Sequence, residues 1–557
     1  MSAMALRRNA VAAQPPALSH GLLFGLVSLL LLLGYIMHTE TQLPGPLIAF
    51  GGIVGLMALF LVSLRRLDIP LYIMVIYLPF SKQLAGDFGG LISAVNLTNM
   101  LFLVILISAF ANRLREGGLH FERHILHVPI FLLVGWGTVT FTYWSLLSQN
   151  QYFLRFLPDF KRWMDPIMLY LLYFHLVKDQ RRWKAVVVLV MIGVTLVAGL
   201  AVHDYMGVKA GTSLDKSRIG GIAGQPNILG AFFVYYMFLF AGFWLQHLRR
   251  GRAWLLWLPF LLCFRGIMVT FSRGAYLAFA QGVLGLTYFK NKALFALAVG
   301  AIAFCIVNPS VLPEGIRFRV ESTFKSKAEL TSVYGIRHLE EEVDRSAAIR
   351  LEIWKATIEM IKDHPWAGIS FGRFQNHLHL YLDLGKQMDA HNAYLIVAAE
   401  QGIPALVLFI LVLLVLYRVT VVVYRRHPDP FIRATALGFL GGLSGLFMAN
   451  MWGSRVNTTE TSGYLWIMAA LMARAYLWAR DQAPQPSLAQ RTAGPRARLS
   501  VARSEPAAVA GEPRRPSARR AATLVAPSEP DRAANDRLRG APRIGGASRQ
   551  WPQRKQR

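Results

Sequence analysis

RLEIWKATIEMIKDHPWAGISFGRFQNHLHLYLDLGKQMDAHNAYLIVAAEQG (350–402) runs straight into GIPALVLFILVLLVLYRVTVV (402–422). The second segment is apolar for about 20 residues, the length a helix needs to cross a bilayer core of about 30 Å. The first belongs to the longest polar interval of an otherwise apolar chain. It carries Arg350, Trp354, a helix-stopping Pro365, glycines at 368 and 372, several histidines, and His391-Asn392 at the edge of the apolar run. Packing alone does not call for so many His, Arg and Gly residues in one extramembrane loop. The pair of segments therefore reads as a substrate-handling loop held in place by spans, with a membrane-borne anion as the expected substrate.

The rest of the chain agrees on fold class. Of its 557 residues, 54% are hydrophobic and 16% charged, too little charge to cover a soluble surface. Apolar runs lie near 21–37, 45–63, 69–81, 91–111, 127–147, 163–177, 184–202, 226–245, 254–271, 274–289, 293–308, 402–422, 434–451 and 464–479. They predict an all-α polytopic transmembrane helix bundle of about 14 spans, with 69–81 and 274–289 the weakest. Lys and Arg cluster in alternate loops, at Arg65-Arg66, Arg113 to Arg123, Lys178 to Lys184, Arg249 to Arg252, Lys290-x-Lys292 and Arg418 to Arg433. By the positive-inside rule both termini are expected in the cytoplasm and the 309–401 loop outside.

This divides the chain into a cytoplasmic segment (1–20), a first part of the bundle (21–308), the extracytoplasmic catalytic loop (309–401), the last part of the bundle (402–480) and a tail (481–557). Arg7 and Arg8 precede the first run with no small-residue cleavage site after it, which reads as a signal anchor. The tail is rich in Pro, Ala, Arg and Ser and holds 16 Lys and Arg against 6 Asp and Glu. Such a segment cannot bury a core and is expected to be disordered and cytoplasmic, either solvated near anionic lipid or docking a partner. Loop cations and tail together explain the net charge of +28, so no nucleic-acid partner is needed. Cys263 and Cys305 both sit in apolar runs, and no disulfide framework is expected.

Within the outer interval, Leu351, Trp354, Ile358 and Ile361 recur at helical spacing up to Pro365. They predict an amphipathic helix lying on the membrane surface. Upstream, Ile316 to Val343 carries both signs of charge and reads as a mobile cover.

Positive charge in short outer loops asks for a reason. Arg155, Lys161, Arg162, Lys209, Lys216, Arg218, Arg265, Arg273 and Arg455 are the outward-facing cations. For Arg155 and Arg455 the plain reading is snorkelling or a carboxylate partner. Arg218 stands in SRIGGIAGQPNILG, where flexible backbone and free helix-start amides accompany the guanidinium and form an anion cradle. Arg273, in FSRGAYLAF, falls where one run ends and the next begins. His391 is placed to act as general base on a hydroxyl at the membrane face. His377-x-His379 has a metal-compatible spacing, but no carboxylate or Cys cluster supports it, so neither metal nor cofactor is expected. No Walker A, GxGxxG or HExxH sequence occurs.

Three patches taken together resemble the O-antigen ligase and polymerase superfamily of bacterial membrane proteins. They are RIGGIAGQPNILG from Arg218, TFSRGAYLAF from Thr270, and the stretch 350–402. In the last, His391-Asn392, nine residues and Gly402 follow that family's H-[NSQ]-x9-G pattern ahead of a span. Ala405 departs from it, standing where the family usually has Gly, Thr or Tyr. The architecture is comparable over residues 45–480. The resemblance implies a GT-C-like, metal-independent, inverting glycosyltransferase of the bacterial inner membrane. It would act at the periplasmic face on glycans carried by undecaprenyl pyrophosphate. By matching position, His391 would be the base, Arg218, Arg273 and Arg350 would hold the pyrophosphate, and Asn227, Asn392 and Trp354 would support them. The acceptor would be a second glycan, as in a polysaccharide polymerase (slightly favoured), or lipid A core, as in a ligase. Membrane lipids are the remaining partners. A lipid-linked oligosaccharide flippase or secondary transporter is the alternative class. It predicts repeat symmetry, broken helices in corresponding halves and intramembrane carboxylates; no such symmetry is found, and the polar residues concentrate on one side. A purely structural scaffold would have no need of His391 or buried arginines.

Overall fold

Backbone polar groups in a bilayer must be satisfied within the segment, so apolar runs fold as helices. In the computed structural model the described residues are 55–84, 97–115, 121–147, 151–208, 217–321, 342–385, 387–453 and 458–481. Every expected run that reaches these residues is helical, and the run at 21–37 lies outside them. After a helical stretch at 55–63 come α1 (Asp68–Tyr77), α2 (Leu97–Arg115), α3 (His127–Leu147), α4 (Gln151–Leu176) and α5 (Gln180–Met206). Next are α6 (Pro226–Gln246), α7 (Trp257–Thr270), α8 (Arg273–Lys290), α9 (Lys292–Val307) and α10 (Glu314–Glu321). The last are α11 (Glu342–Asp363), α12 (Ala393–Arg426), α13 (Pro430–Ala449) and α14 (Thr459–Asp481). No strand occurs among the described residues.

Seven helices there are long and apolar enough to cross a membrane, namely α2, α3, α5, α6, α7 with its preceding turn, α12, and α13 with its following turn. Asp68–Phe80 and Lys292–Val307 are shorter apolar helices. The architecture is thus a polytopic helical bundle, while the expected count of about 14 spans is not reached by this measure among the described residues.

The centre of the bundle is α6 against α13. α6 (PNILGAFFVYYMFLFAGFWLQ) is apolar on all sides and 83% buried, as a helix with no polar face must be. α13 meets it with a small-residue face. A Cβ on Gly442 would lie 2.1 Å from the Tyr235 carbonyl, and one on Gly438 2.5 Å from that of Phe238. Bare glycine lets the two backbones touch, the usual way membrane helices pack without a hydrophobic driving force. Buried aromatics find partners for their polar tips. Tyr235 Oη donates to Asn450 Oδ1 at 2.9 Å, Tyr464 Oη to the Val75 carbonyl at 2.7 Å, and Trp183 Nε1 to that of Leu471 at 2.8 Å.

One buried charge stabilises the assembly away from the loop. Arg474, with a 5% exposed side chain, pairs with Glu122, donates to the Phe174 carbonyl and lies over that ring at 4.3 Å. Glu122 stands in the segment before α3. Burial alone would raise its pKa, but the Arg474 hydrogen bond and charge, with Lys178, outweigh this and hold it below the usual glutamate range. A depressed folded pKa gives stability that is present above the unfolded value and lost as pH falls through the folded one. Glu122→Gln is expected to lower the melting midpoint at pH 7, with the gap to wild type closing in acid. Glu122 is 38% exposed, so the cost should be nearer about 2 kcal/mol than the 3–5 of a fully buried pair.

One local expectation gains a second face, and two are corrected. The buried face of α11 is Ile353, Ala356, Thr357 and Met360, while Leu351 and Ile358 are exposed and Trp354 half-buried. The helix packs through that face on a small second core with Ile369, Phe374, Leu378, Ala390, Ile396 and Ala399. Sequence spacing alone does not reveal which of two apolar stripes faces protein. Second, Arg155, Lys161 and Arg162 lie within helix α4 rather than in a loop before it, and Lys161 and Arg162 pair with Asp165 and Asp159 at 2.6 and 3.2 Å. Third, the start of the expected mobile cover is helix α10, with Ile316, Phe318 and Arg319 buried; the rest of that stretch, 322–341, is outside the described residues.

Candidate functional site

Two clusters make up the site, and a pair of tryptophans joins them. The first is built on the turn between α7 and α8. α7 ends with Phe271 in the left-handed region (φ 47°), and Ser272 caps α8 by accepting from the Ala275 amide at 3.4 Å. Arg273 is consequently the first residue of α8, where unsatisfied amides and the helix dipole favour an anion. Arg218 comes to the same turn from the loop before α6, its Nε donating to the Thr270 carbonyl at 3.1 Å and its Nη2 to Asn227 Oδ1 at 3.0 Å. A further bond from the Ile219 amide to the Val269 carbonyl (3.1 Å) fixes that loop in register. Arg218 and Asn227 are thus brought to the turn from which Arg273 starts α8.

Two more cations stand there that the sequence did not single out. Arg319, only 6% exposed, donates from Nε to the Phe271 carbonyl at 3.2 Å. Gly315 on the same helix packs with its Cα against the Phe271 ring. Lys82 reaches the glycine-rich loop from beyond α1, its Nζ donating to the Ala223 carbonyl at 3.1 Å. Beside it Gly224 turns with φ +70°, and a Cβ there would meet the Lys82 ammonium at 2.9 Å. Neither residue sits in a motif. Arg319 lies in a mixed-charge segment and Lys82 just past an apolar run, so only long-range folding brings them in.

The second cluster is the loop. On α11, Arg350 precedes Trp354 by four residues and so shares its face. Trp354 Nε1 donates to the Ala390 carbonyl at 2.8 Å, pinning the residue before His391. His391 itself is in the left-handed region (φ 50°), uncommon for a side-chain-bearing residue. Its Nδ1 is 3.6 Å from Asp389 Oδ2, an ion-pair rather than hydrogen-bond distance. Asn392 holds the helix start. It is 6% exposed, and its Oδ1 accepts from the Tyr394 and Leu395 amides at 3.0 and 3.2 Å and caps α12.

Trp452, at the end of α13, bridges the clusters. Its ring lies 5.7 Å from that of Trp354, and its Cβ would be 2.7 Å from a Cβ on Gly274. The residue after Arg273 and the residue before His391 therefore sit on opposite sides of one tryptophan pair. Lys209, Lys216 and Arg455 lie outside the described residues. Arg265 is engaged over the Tyr205 ring at 5.1 Å.

The loop is tied down by a break in α12. Gly402 has φ 83° and ψ 171°, and Pro404 supplies no amide, so the helical ladder fails there. The HPWAGIS segment takes over the orphaned groups. Ile369 and Ser370 amides donate to the Ala399 and Glu400 carbonyls at 2.9 and 2.8 Å, and the Ile403 amide donates to the Pro365 carbonyl at 2.8 Å. Trp136 Nε1 serves the Gln401 carbonyl at 2.9 Å. Glu400, 4% exposed, accepts from the Phe374 amide at 3.4 Å, which anchors the following turn as well. These bonds explain why a glycine stands at a fixed distance after His391-Asn392.

His377 and His379 do not make a metal pair. They fall two apart on a helical turn, where side chains point in different directions. Burial first, and then the Arg373 charge, push the His377 imidazole below its usual pKa. Among the described residues no group of three or more His, Cys, Asp or Glu side chains is arranged to hold a metal.

No curated protein sequence matches this chain. Residues 258–410 match the model of the family described as O-antigen ligase. That interval takes in the Thr270–Arg273 turn, Arg319, Arg350, Trp354, His391 and Gly402, and leaves Arg218 and Asn227 outside it. The match supports the resemblance to the O-antigen ligase and polymerase superfamily, through a segment that holds most of the site just described.

Proposed function

We propose that the protein is an inner-membrane glycosyltransferase that moves or polymerises a glycan from an undecaprenyl-pyrophosphate donor at the periplasmic face. The observation that supports this best is the convergence of Arg218, Arg273 and Arg319 on the α7–α8 turn, joined through Trp452 and Trp354 to the His391 segment. Guanidinium groups at a helix start suit a pyrophosphate leaving group, whose charge they meet without a metal. Arg350, on the Trp354 face of α11, would approach it from the loop. In the reaction the acceptor hydroxyl oxygen attacks the anomeric carbon, and its proton passes to His391. The bond from that carbon to the pyrophosphate oxygen breaks with inversion, and undecaprenyl pyrophosphate leaves. Asp389 would favour the tautomer with Nδ1 protonated, so that Nε2 is the accepting atom.

Polymerase activity is placed slightly ahead of ligase activity. Purified full-length protein in liposomes, given the lipid-linked glycan plus either a second lipid-linked repeat or lipid A core, distinguishes them by product size. Whichever transfer occurs is expected to proceed in the presence of chelator. Transfer to neither acceptor would overturn the glycosyltransferase reading.

A further inference from the structure

A second concave site lies at the other end of α12, away from the loop. There the chain leaving α6 meets the start of α13, and between them is a cavity of about 410 Å³ lined in part by His247, Arg249, Arg250, Pro430 and Arg433. Its volume is in the range of small-ligand pockets and far above that of a single water. Three arginines line it, and no Asp or Glu is among the lining residues. Gln246, also in the wall, accepts from Lys290 Nζ at 3.5 Å, which brings a fourth cation to the rim.

The nearby acid is committed elsewhere. Asp429 caps α13, accepting from the Phe431 and Ile432 amides at 2.7 and 3.3 Å, and pairs with Lys184 at 2.6 Å. Arg433 Nε is buried with no hydrogen-bond partner among the described atoms. A buried unsatisfied donor and several like charges around one hollow are costly unless an anion joins them. Planar guanidinium forks match phosphate oxygens. A basic end alone would follow from topology, but topology requires neither a cavity nor a buried Arg433 Nε left without a partner.

We propose that this cavity binds a phosphate-bearing anion, supplied by a lipid headgroup or by free phosphate. The full-length protein in zwitterionic detergent separates these sources. Phosphatidylglycerol, phosphatidylcholine and inorganic phosphate are each added, and binding is read by native mass spectrometry and by the melting midpoint. Protection by phosphatidylglycerol alone identifies a headgroup site; equal protection by inorganic phosphate identifies a soluble anion. In either case R249Q/R250Q, two exposed positions, should weaken binding roughly tenfold or more without moving the ligand-free midpoint. R425Q/R426Q removes the same charge from the same end but outside the cavity lining, and should keep the binding. Equal loss in both double variants, or no preference for either anionic probe over zwitterionic phosphatidylcholine, overturns the proposal.

Discussion

Gly402→Ala is expected to abolish measurable glycan transfer and to loosen the 364–370 segment from α12. With φ 83° and ψ 171° the residue occupies a region essentially closed to other side chains, a strain of about 1–3 kcal/mol by itself. The added Cβ would also lie 1.9 Å from the Trp366 carbonyl oxygen. That carbonyl cannot step aside, because its neighbours Pro365, Ile369 and Ser370 are hydrogen-bonded to α12 on either side of the break. Relief requires the whole turn to lift, and with it the register of His391. A displacement worth about 3 kcal/mol in the transition state already costs on the order of 10² in rate. Limited proteolysis of the loop should show new cleavage between 364 and 372. Gly385→Ala is the control: its φ is also positive (64°), but nothing lies within 4 Å of a Cβ there. It should cost only about 1 kcal/mol and leave transfer near wild type.

His391→Ala should lower the transfer rate by roughly 10²–10⁴, the usual contribution of a positioned general base. The fold should survive. The side chain is 27% exposed, and the backbone around it is held by Trp354 and by the Asn392 cap rather than by the imidazole. The melting midpoint should move by less than about 2 °C. Asn392→Ala should behave in the opposite way, losing about 1 kcal/mol of helix stability with a smaller effect on rate. A rate loss in Asn392→Ala as large as in His391→Ala would point to a positioning role for both residues.

Much of this was legible in the sequence, and the limits have physical causes. Apolar runs named the helices because a bilayer accepts little else. Arg218, Asn227 and Arg273 could be named because glycine-rich turns and helix starts announce themselves locally. His391 could be named as an imidazole at the edge of a span, and Gly402 through the resemblance to the family's H-[NSQ]-x9-G pattern, while the helix break that requires the glycine shows only in the fold. Arg319 and Lys82 could not, since their importance lies in carbonyls contributed from Phe271 and Ala223, far away in the chain. Trp452 was hidden for the same reason: it matters only because it fits between Gly274 and Trp354. On α11 the spacing selected a helix and its exposed Leu351 and Ile358, but not the second stripe, Ile353 and Met360, that packs on protein.

The central claim is that the α7–α8 arginine turn and the loop histidine act as one site. Its most direct test is reconstituted transfer from an undecaprenyl-pyrophosphate glycan, comparing wild type with His391→Ala and Arg273→Ala at equal protein level. Both variants should lose transfer, with Arg273→Ala also weakening donor binding, since only the arginine meets the pyrophosphate. Full activity in both variants would contradict the assignment.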